Sequence, residues 1–148
     1  MANTTTRVTH APEETQALGR ELAGRLRPGD CVGLIGSLGS GKTCLVQGIC
    51  AGLGVSGAVT SPTFILIHEY TGVGKEEAPL PVYHFDLYRL GDPDELYALG
   101  CDDYFYGEGI CLIEWADRAG DLLPEGTILI QLEDVGITSR SFTITGGR

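Results

Sequence analysis

The sequence predicts an α/β fold with a mainly parallel central sheet and antiparallel strands added at its edges. Residues 31–35 form an apolar run typical of a buried strand, and a glycine-rich loop connects this run to a segment with helical spacing of apolar residues. Two further apolar runs, residues 82–86 and 110–114, each end in an acid. Residues 127–132 and 141–144 alternate apolar and polar side chains, as the strands of an antiparallel hairpin do.

The loop after the first strand matches the phosphate-binding pattern of a glycine, four free residues and Gly-Lys-Thr before a helix. Its residues are Gly36, Ser37, Leu38, Gly39, Ser40, Gly41, Lys42 and Thr43. The glycines permit positive φ and close backbone approach, so that N–H groups converge on a phosphate at the helix N-terminus. Lys42 adds a charge for the β- and γ-phosphate oxygens, and Thr43 offers a hydroxyl to Mg²⁺. The loop therefore predicts the three-layer P-loop NTPase fold.

A chance match to this pattern is the alternative. The chain has 22 glycines among 148 residues, which makes glycine-rich coincidences more frequent. It has only two lysines, however, and one of them is Lys42. The preceding strand and the following helix, residues 44–51, provide the structural context that the motif requires.

Composition limits the class of protein. With 20 acidic and 10 basic residues the net charge is −10, which argues against direct nucleic-acid binding because no global basic face is available. The five cysteines are odd in number and lack CxxC spacing, as expected of buried free thiols in a reducing cytosol. The chain has no run of 18 apolar residues, and its first ten residues are polar, so we expect a soluble cytoplasmic protein without a membrane segment. The length predicts a single domain over residues 1–148.

The remaining elements follow from spacing, capping residues and breakers. An edge strand is expected at residues 7–9. It precedes a helix that begins at Pro12, has acids in its first turn and leucines at four-residue intervals, and stops at Arg27-Pro28-Gly29. Residues 64–70 predict a strand. Residues 71–81 contain glycines, charges and prolines, and we expect a solvated, mobile connection there. A short helix starts at Pro93.

Asp86 and Glu114 are the candidate acids of the site. Each directly follows a strand-like apolar run, and ligands bind at the carboxyl ends of parallel strands in open α/β sheets. An acid in such a place is costly unless it faces a cation. The alternative is an acid that caps the next turn. These residues alone leave three roles open for each acid: direct Mg²⁺ ligand, ligand through water, and base that orients an attacking water.

Several motifs beyond the loop point to one family. They are Ser61-Pro62-Thr63-Phe64, the segment 83–90 (YHFDLYRL), Asp92-Pro93-Asp94-Glu95-Leu96, Asp103-Tyr104-Phe105, Leu112-Ile113-Glu114-Trp115 and Leu122-Leu123-Pro124. In this order and spacing, and together with the phosphate loop, they resemble the TsaE family, formerly YjeE, from about Pro12 to Ile144.

The resemblance implies a single P-loop ATPase domain that serves bacterial synthesis of N6-threonylcarbamoyladenosine (t6A) at position 37 of tRNAs decoding ANN codons. It implies ATP and Mg²⁺ as cofactors, weak intrinsic hydrolysis, and TsaD and TsaB as partners that carry the transfer chemistry. The tRNA would be reached only through these partners, which agrees with the acidic composition. The oligomeric state stays open.

The resemblance also assigns residues. Lys42, Asp86 and Glu114 are the expected catalytic residues, and Thr43, Asp86 and Glu114 the expected metal site. Thr63 would lie in a switch segment near the γ-phosphate, unless Ser61-Pro62-Thr63 is only a turn before a strand.

Three further positions concern nucleotide binding. Cys44 would lie beside the α-phosphate, and Arg140 near the base or ribose. Ser37 stands where the family usually has Asp, which puts the rate of hydrolysis in doubt but not the fold. His84 is expected to be a satisfied strand residue rather than a catalytic base.

Two other functions are weighed against the ATPase. A small-molecule or nucleoside kinase needs an acceptor pocket and an arginine-rich lid, and the sequence contains no such segment. A nucleotide-gated binding subunit with negligible turnover is the second, and Ser37 gives it slight support.

Overall fold

The computed structural model describes residues 4–36, 41–57, 59 and 67–146. The strands in this part are β1 (Thr4–Thr9), β2 (Cys31–Gly36), β3 (Ile67–Val73), β4 (Pro79–Asp86), β5 (Ile110–Glu114), β6 (Ile128–Asp134) and β7 (Arg140–Thr145). The α-helices are α1 (Pro12–Ala23), α2 (Lys42–Gly52), α3 (Pro93–Ala98) and α4 (Cys101–Phe105). Short 3-10 segments cover Lys75–Glu77 and Ala116–Leu122.

The strands form one sheet in the order β1-β7-β6-β2-β5-β4-β3. The central strands β6, β2, β5 and β4 are parallel. At one edge β7 runs antiparallel to β6 and β1 antiparallel to β7, and at the other edge β3 runs antiparallel to β4. The predicted α/β class, with a parallel centre and antiparallel edges, is confirmed.

Helices α1 and α2 cover one face of the sheet, and they pack with their backbones unusually close. A Cβ added at Gly48 would lie 2.3 Å from the carbonyl oxygen of Gln16, and one at Gly19 would lie 2.6 Å from that of Leu45. Glycine is therefore required at this crossing. The core below it contains Leu34, Leu45, Val46, Ile49, Leu112 and Ile130.

The opposite face is covered by α3, α4 and the segment Ala116–Leu122, which completes a three-layer arrangement. Its core includes an aromatic cluster, in which the Tyr104 ring contacts the rings of Tyr83 and Phe85 edge to face. Phe105 and Leu96 are buried beside them. All five cysteines are free thiols, as expected from their number and spacing.

The expectation of a loop over residues 71–81 is wrong. Strand β3 continues to Val73, a tight turn follows at Lys75–Glu77, and β4 already begins at Pro79. The prolines are tolerated because β4 pairs with β5 only from Val82 onward, so their missing N–H groups leave no gap in that ladder. Among the described residues no helix is both long and apolar enough to cross a membrane.

Candidate functional site

Three strands bring candidate residues to one end of the sheet, the end where the carboxyl termini of the parallel strands lie; this end is called the carboxyl edge. Gly36 ends β2, Asp86 ends β4 and Glu114 ends β5. Asp86 is the register partner of Glu114, and Glu114 is in turn the partner of Leu34 on β2. Because all three strands are parallel, both acids lie at the carboxyl edge from which the phosphate loop departs.

Lys42 is the first residue of α2, and its side chain is buried at the carboxyl edge of the sheet. It follows Gly41, whose φ of +99° lies in the left-handed region where glycine is favoured. Lys42 is 5% exposed, and its Nζ donates a hydrogen bond of 2.5 Å to the carbonyl oxygen of Gly36. Burial lowers the pKa of the Lys42 ammonium, and the nearby carboxylates of Glu114, Asp86 and Asp117 oppose this shift. Thr43, the next residue, is half-buried in the first turn of α2.

Glu114 is paired with His84, a contact that the sequence does not predict. The Nε2 atom of His84 lies 2.5 Å from Oε2 of Glu114, and the two side chains are 0% and 3% exposed. His84 lies two residues before Asp86 on β4, so both side chains project from the same face of that strand. Within the described part of the chain, the second ring nitrogen, Nδ1, is buried without a hydrogen-bond partner.

Asp86 lies in a more open position than Glu114. It is half-buried, and its Oδ1 accepts a hydrogen bond of 3.0 Å from the backbone N–H of Tyr88. Burial raises the pKa of the Asp86 carboxyl and the neighbouring Glu114 adds to the rise, whereas the Tyr88 N–H, His84 and Lys42 oppose it. The protein thus holds this carboxylate where its charge is only partly compensated.

Trp115 places an aromatic ring over the lysine. Its φ of 57° is in the left-handed region, which is uncommon for a bulky residue. The ring centre lies 4.0 Å from the Lys42 Nζ and 5.0 Å from the centre of the Tyr88 ring. The Arg118 guanidinium stacks 5.6 Å from the Trp115 ring centre. A strained residue directly after a candidate catalytic acid is a feature often found at functional sites.

A cleft of about 230 Å³ adjoins the start of α2. Its lining comprises Ala11, Pro12, Thr15, Gly41, Cys44, Ile137, Thr138 and Arg140. The Arg140 Nε lies 2.9 Å from Oδ1 of Asp134, and a Cβ built on Gly41 would lie 3.9 Å from the Arg140 Cγ. The thiol of Cys44 donates to the carbonyl of Pro12 at 3.3 Å. The structure therefore gathers the predicted residues Gly41, Cys44 and Arg140 around one cleft.

Some predicted residues cannot be placed. Ser37, Leu38, Gly39, Ser40 and Thr63 lie outside the described residues. Within the described ranges, no group of three or more His, Cys, Asp or Glu side chains forms a metal cluster. A site that uses Thr43, Asp86 and Glu114 would need further ligands from a nucleotide or water, as magnesium sites in such proteins do.

Comparison with known proteins decides the family. The family model for threonylcarbamoyl adenosine biosynthesis protein TsaE matches residues 9–142. This chain belongs to the TsaE family. A tRNA threonylcarbamoyladenosine biosynthesis protein TsaE from Bacillus subtilis is 42% identical over 90% of this chain and 80% of the relative. The Treponema pallidum protein of the same name is 36% identical over 93% of this chain and 97% of its own.

A solved structure extends the similarity to three dimensions. The crystal structure of YdiB from Bacillus subtilis superposes with a TM-score of 0.79 at 36% sequence identity, covering 100% of this chain and 88% of the other. The TsaE family is named for tRNA t6A biosynthesis. The seven-stranded sheet that the described residues form agrees with the P-loop NTPase fold of a nucleotide-binding protein.

Proposed function

We propose that this protein binds and hydrolyses ATP with Mg²⁺, and that this activity drives t6A modification of tRNA at position 37 together with TsaD and TsaB. The observation that carries the proposal is the convergence of Lys42, Asp86 and Glu114 at one sheet edge, directly beside the cleft lined by Arg140. A buried lysine at the start of a helix, two acids and an adjoining cleft are the parts that nucleotide hydrolysis needs.

The triphosphate occupies the loop 36–43, with its β- and γ-phosphate oxygens facing Lys42. Phosphate oxygens replace the Gly36 carbonyl as partners of the lysine, because a charge-assisted hydrogen bond is stronger than one to a neutral carbonyl. The adenosine lies in the cleft, with Cys44 on the phosphate side and Arg140 against the ribose or base. The loop motif alone assigns phosphate binding to Ser37, Leu38, Gly39 and Ser40.

The residues present suit Mg²⁺. Thr43, Asp86 and Glu114 offer only oxygen donors, which magnesium prefers, and the raised pKa of Asp86 is that of a carboxylate whose charge lacks full compensation. Thr43, Asp86 and Glu114 would hold the ion, directly or through water. When bound, the ion neutralises charge on the phosphate oxygens.

Hydrolysis forms a bond between a water oxygen and the γ-phosphorus and breaks the bond from that phosphorus to the bridging oxygen of ADP. Glu114 orients the water by accepting a hydrogen bond from it, and the water's proton ends on the released phosphate or in solvent. Lys42 stabilises negative charge on the γ-phosphate as the bond breaks. Thr63, on the switch segment, senses whether the γ-phosphate is present.

The partner role rests on charge and family. A net charge of −10 opposes tRNA binding by this chain itself, so the tRNA is held by the TsaD and TsaB proteins in the cytoplasm. This chain then presents one surface to those partners with ATP bound and a different surface with ADP bound.

One assay tests the proposal. Phosphate release from ATP is measured with and without TsaD and TsaB, in parallel with threonylcarbamoylation of tRNA. We expect phosphate release that depends on Mg²⁺, and loss of both activities in Thr43→Ala and Glu114→Ala. Phosphate transfer to a small acceptor would favour a kinase instead. A tRNA activity that survives both substitutions would favour a binding subunit without turnover.

A further inference from the structure

The pair formed by His84 and Glu114 is buried at the strand ends, below the proposed nucleotide site. His84 is fully buried and Glu114 nearly so, and their side chains meet at 2.5 Å. In the register of the sheet, His84 lies opposite Leu112, and Glu114 lies opposite Asp86. The pair therefore connects β4 and β5 diagonally, with His84 two residues deeper in the sheet than Asp86.

The surroundings of His84 determine which ring nitrogen carries the hydrogen. Val82 and Leu112, both fully buried, are its neighbours on the same face, and Nδ1 has no hydrogen-bond partner among the described residues. A buried N–H without a partner costs about 1–3 kcal/mol. The arrangement that avoids an unpaired N–H has the single ring hydrogen on Nε2, donated to the Glu114 carboxylate, and leaves Nδ1 as a bare acceptor.

This hydrogen bond restricts the carboxylate. A glutamate at a strand end has three side-chain torsions, and the hydrogen bond from His84 fixes the place of one carboxylate oxygen. With Oε2 held by the imidazole, the carboxylate has fewer orientations open to it at the strand end. An acid that must orient a water molecule requires such control, because small displacements of a catalytic group reduce the rate strongly.

We propose that His84 is a positioning residue for hydrolysis: its Nε2–H holds the Glu114 carboxylate in the orientation that directs the attacking water at the γ-phosphate. The proposal rests on the proposed ATPase function and adds a residue to it. It treats the imidazole as a donor that does not itself exchange a proton with substrate.

The first experiment reads the imidazole directly and does not depend on activity. ¹⁵N NMR of histidine-labelled protein distinguishes a protonated ring nitrogen from a bare one, and His84→Gln identifies the His84 signals among those of the three histidines. We expect His84 to show Nε2 protonated and Nδ1 bare. A proton on Nδ1 with Nε2 bare would overturn the proposal, because the imidazole would then accept from Glu114 rather than hold it.

The second experiment separates positioning from packing. His84→Gln keeps an N–H donor of similar reach, whereas His84→Met fills similar volume without a donor. We expect His84→Met to lower kcat by roughly 10–100-fold with KM for ATP within about twofold of the parent, and His84→Gln to recover most of the loss. Equal kcat in parent and His84→Met, or equal losses in both variants, would contradict a positioning role.

Two controls keep the outcomes distinct. If His84→Met does not fold, as judged by its melting curve, the NMR result still decides. In a Glu114→Gln background, His84→Met should have no further effect on kcat, since the group it positions is gone. Absence of hydrolysis in the parent, with and without TsaD and TsaB, would refute the proposed function and this inference together. Hydrolysis by the parent that His84→Met leaves intact would refute the inference alone.

Discussion

The Lys42 ammonium lies 4.0 Å from the centre of the Trp115 ring while it donates a hydrogen bond to the Gly36 carbonyl. A cation at this distance from the face of an indole is attracted by the ring quadrupole. The two contacts hold the lysine between the indole and the end of β2, where its pKa is lowered by burial. A phosphate that binds there competes with both contacts and therefore changes the surroundings of the indole.

Trp115 should report nucleotide binding by fluorescence, because it is the only tryptophan of the chain. We expect Mg²⁺ and ATP to change its emission with a saturable dependence on ATP concentration. Lys42→Ala should weaken this dependence, since it removes both the phosphate contact and the cation over the ring. Calorimetry gives the independent affinity. Binding heat from the parent without any change in emission would show that the lysine does not leave the indole.

Arg140 should contribute to nucleotide affinity from the side of the cleft. Its side chain is a quarter exposed, lines the cleft with Gly41, and forms an ion pair with Asp134. We expect Arg140→Ala to weaken ATP and ADP binding by about tenfold or more, the size of a lost charge-assisted hydrogen bond. Calorimetric titration with either nucleotide gives the measurement.

The matched control is Asp134→Asn, which removes the ion-pair partner but keeps the guanidinium in the cleft. Its nucleotide affinity should stay near that of the parent. If both variants lose affinity equally, Arg140 acts by holding the β6–β7 hairpin in place and does not contact the nucleotide.

Gly48 should be essential for the packing of α1 on α2. A Cβ at this position would lie 2.3 Å from the Gln16 carbonyl oxygen and 2.8 Å from its Cα, both backbone atoms that cannot move aside alone. We expect Gly48→Ala to lower the free energy of unfolding by about 1–3 kcal/mol, even though alanine favours helices. Urea denaturation followed by circular dichroism checks this.

Gly24 provides the comparison. It caps the C-terminal end of α1 with ordinary helical φ and ψ, and a Cβ there would meet only the Glu21 carbonyl at 3.4 Å. Gly24→Ala should leave the free energy of unfolding unchanged or raise it by up to about 1 kcal/mol. A similar loss in both variants would mean that helix propensity or the unfolded state, and not the helix crossing, explains the effect.

The parallel centre of the sheet and the meeting of its two acids could be predicted from sequence for a physical reason. When two apolar runs that each end in an acid form parallel strands, both acids lie at the same end of the sheet. Asp86 and Glu114 are indeed register partners. The glycine-rich loop likewise requires a strand before it and a helix after it, and β2 and α2 are found there.

Other features depend on register and backbone angles that spacing does not encode. His84 projects from the same face as Asp86 by strand periodicity. Its contact with Glu114, however, depends on the register of β4 against β5, which places the two residues diagonally across the strand pair. The φ of Trp115 has no sequence signal, because a bulky residue in the left-handed region contradicts its own propensity. The prolines near the β3–β4 turn indicated a loop, although strand positions that lack a neighbouring strand on one side, as these lack β5, also accept them.

Asp86 should lower the stability of the nucleotide-free protein at neutral pH. Burial raises the pKa of its carboxyl in the folded state above the ordinary value of 3.8, so the folded protein binds its proton more tightly than the unfolded chain does. Stability contributed by the protonated carboxyl is therefore lost as the pH rises from the unfolded pKa through the raised folded pKa.

Asp86→Asn removes this loss and keeps an oxygen that accepts the Tyr88 N–H. We expect a higher Tm than the parent at pH 7, a smaller difference at pH 4, and a smaller stabilisation by ATP with Mg²⁺, all read by thermal denaturation. The exposed Asp121→Asn makes the same chemical change at the surface and should leave Tm nearly unchanged. An Asp86→Asn variant less stable than the parent at pH 7 without nucleotide would mean that Lys42 and His84 more than compensate the buried charge.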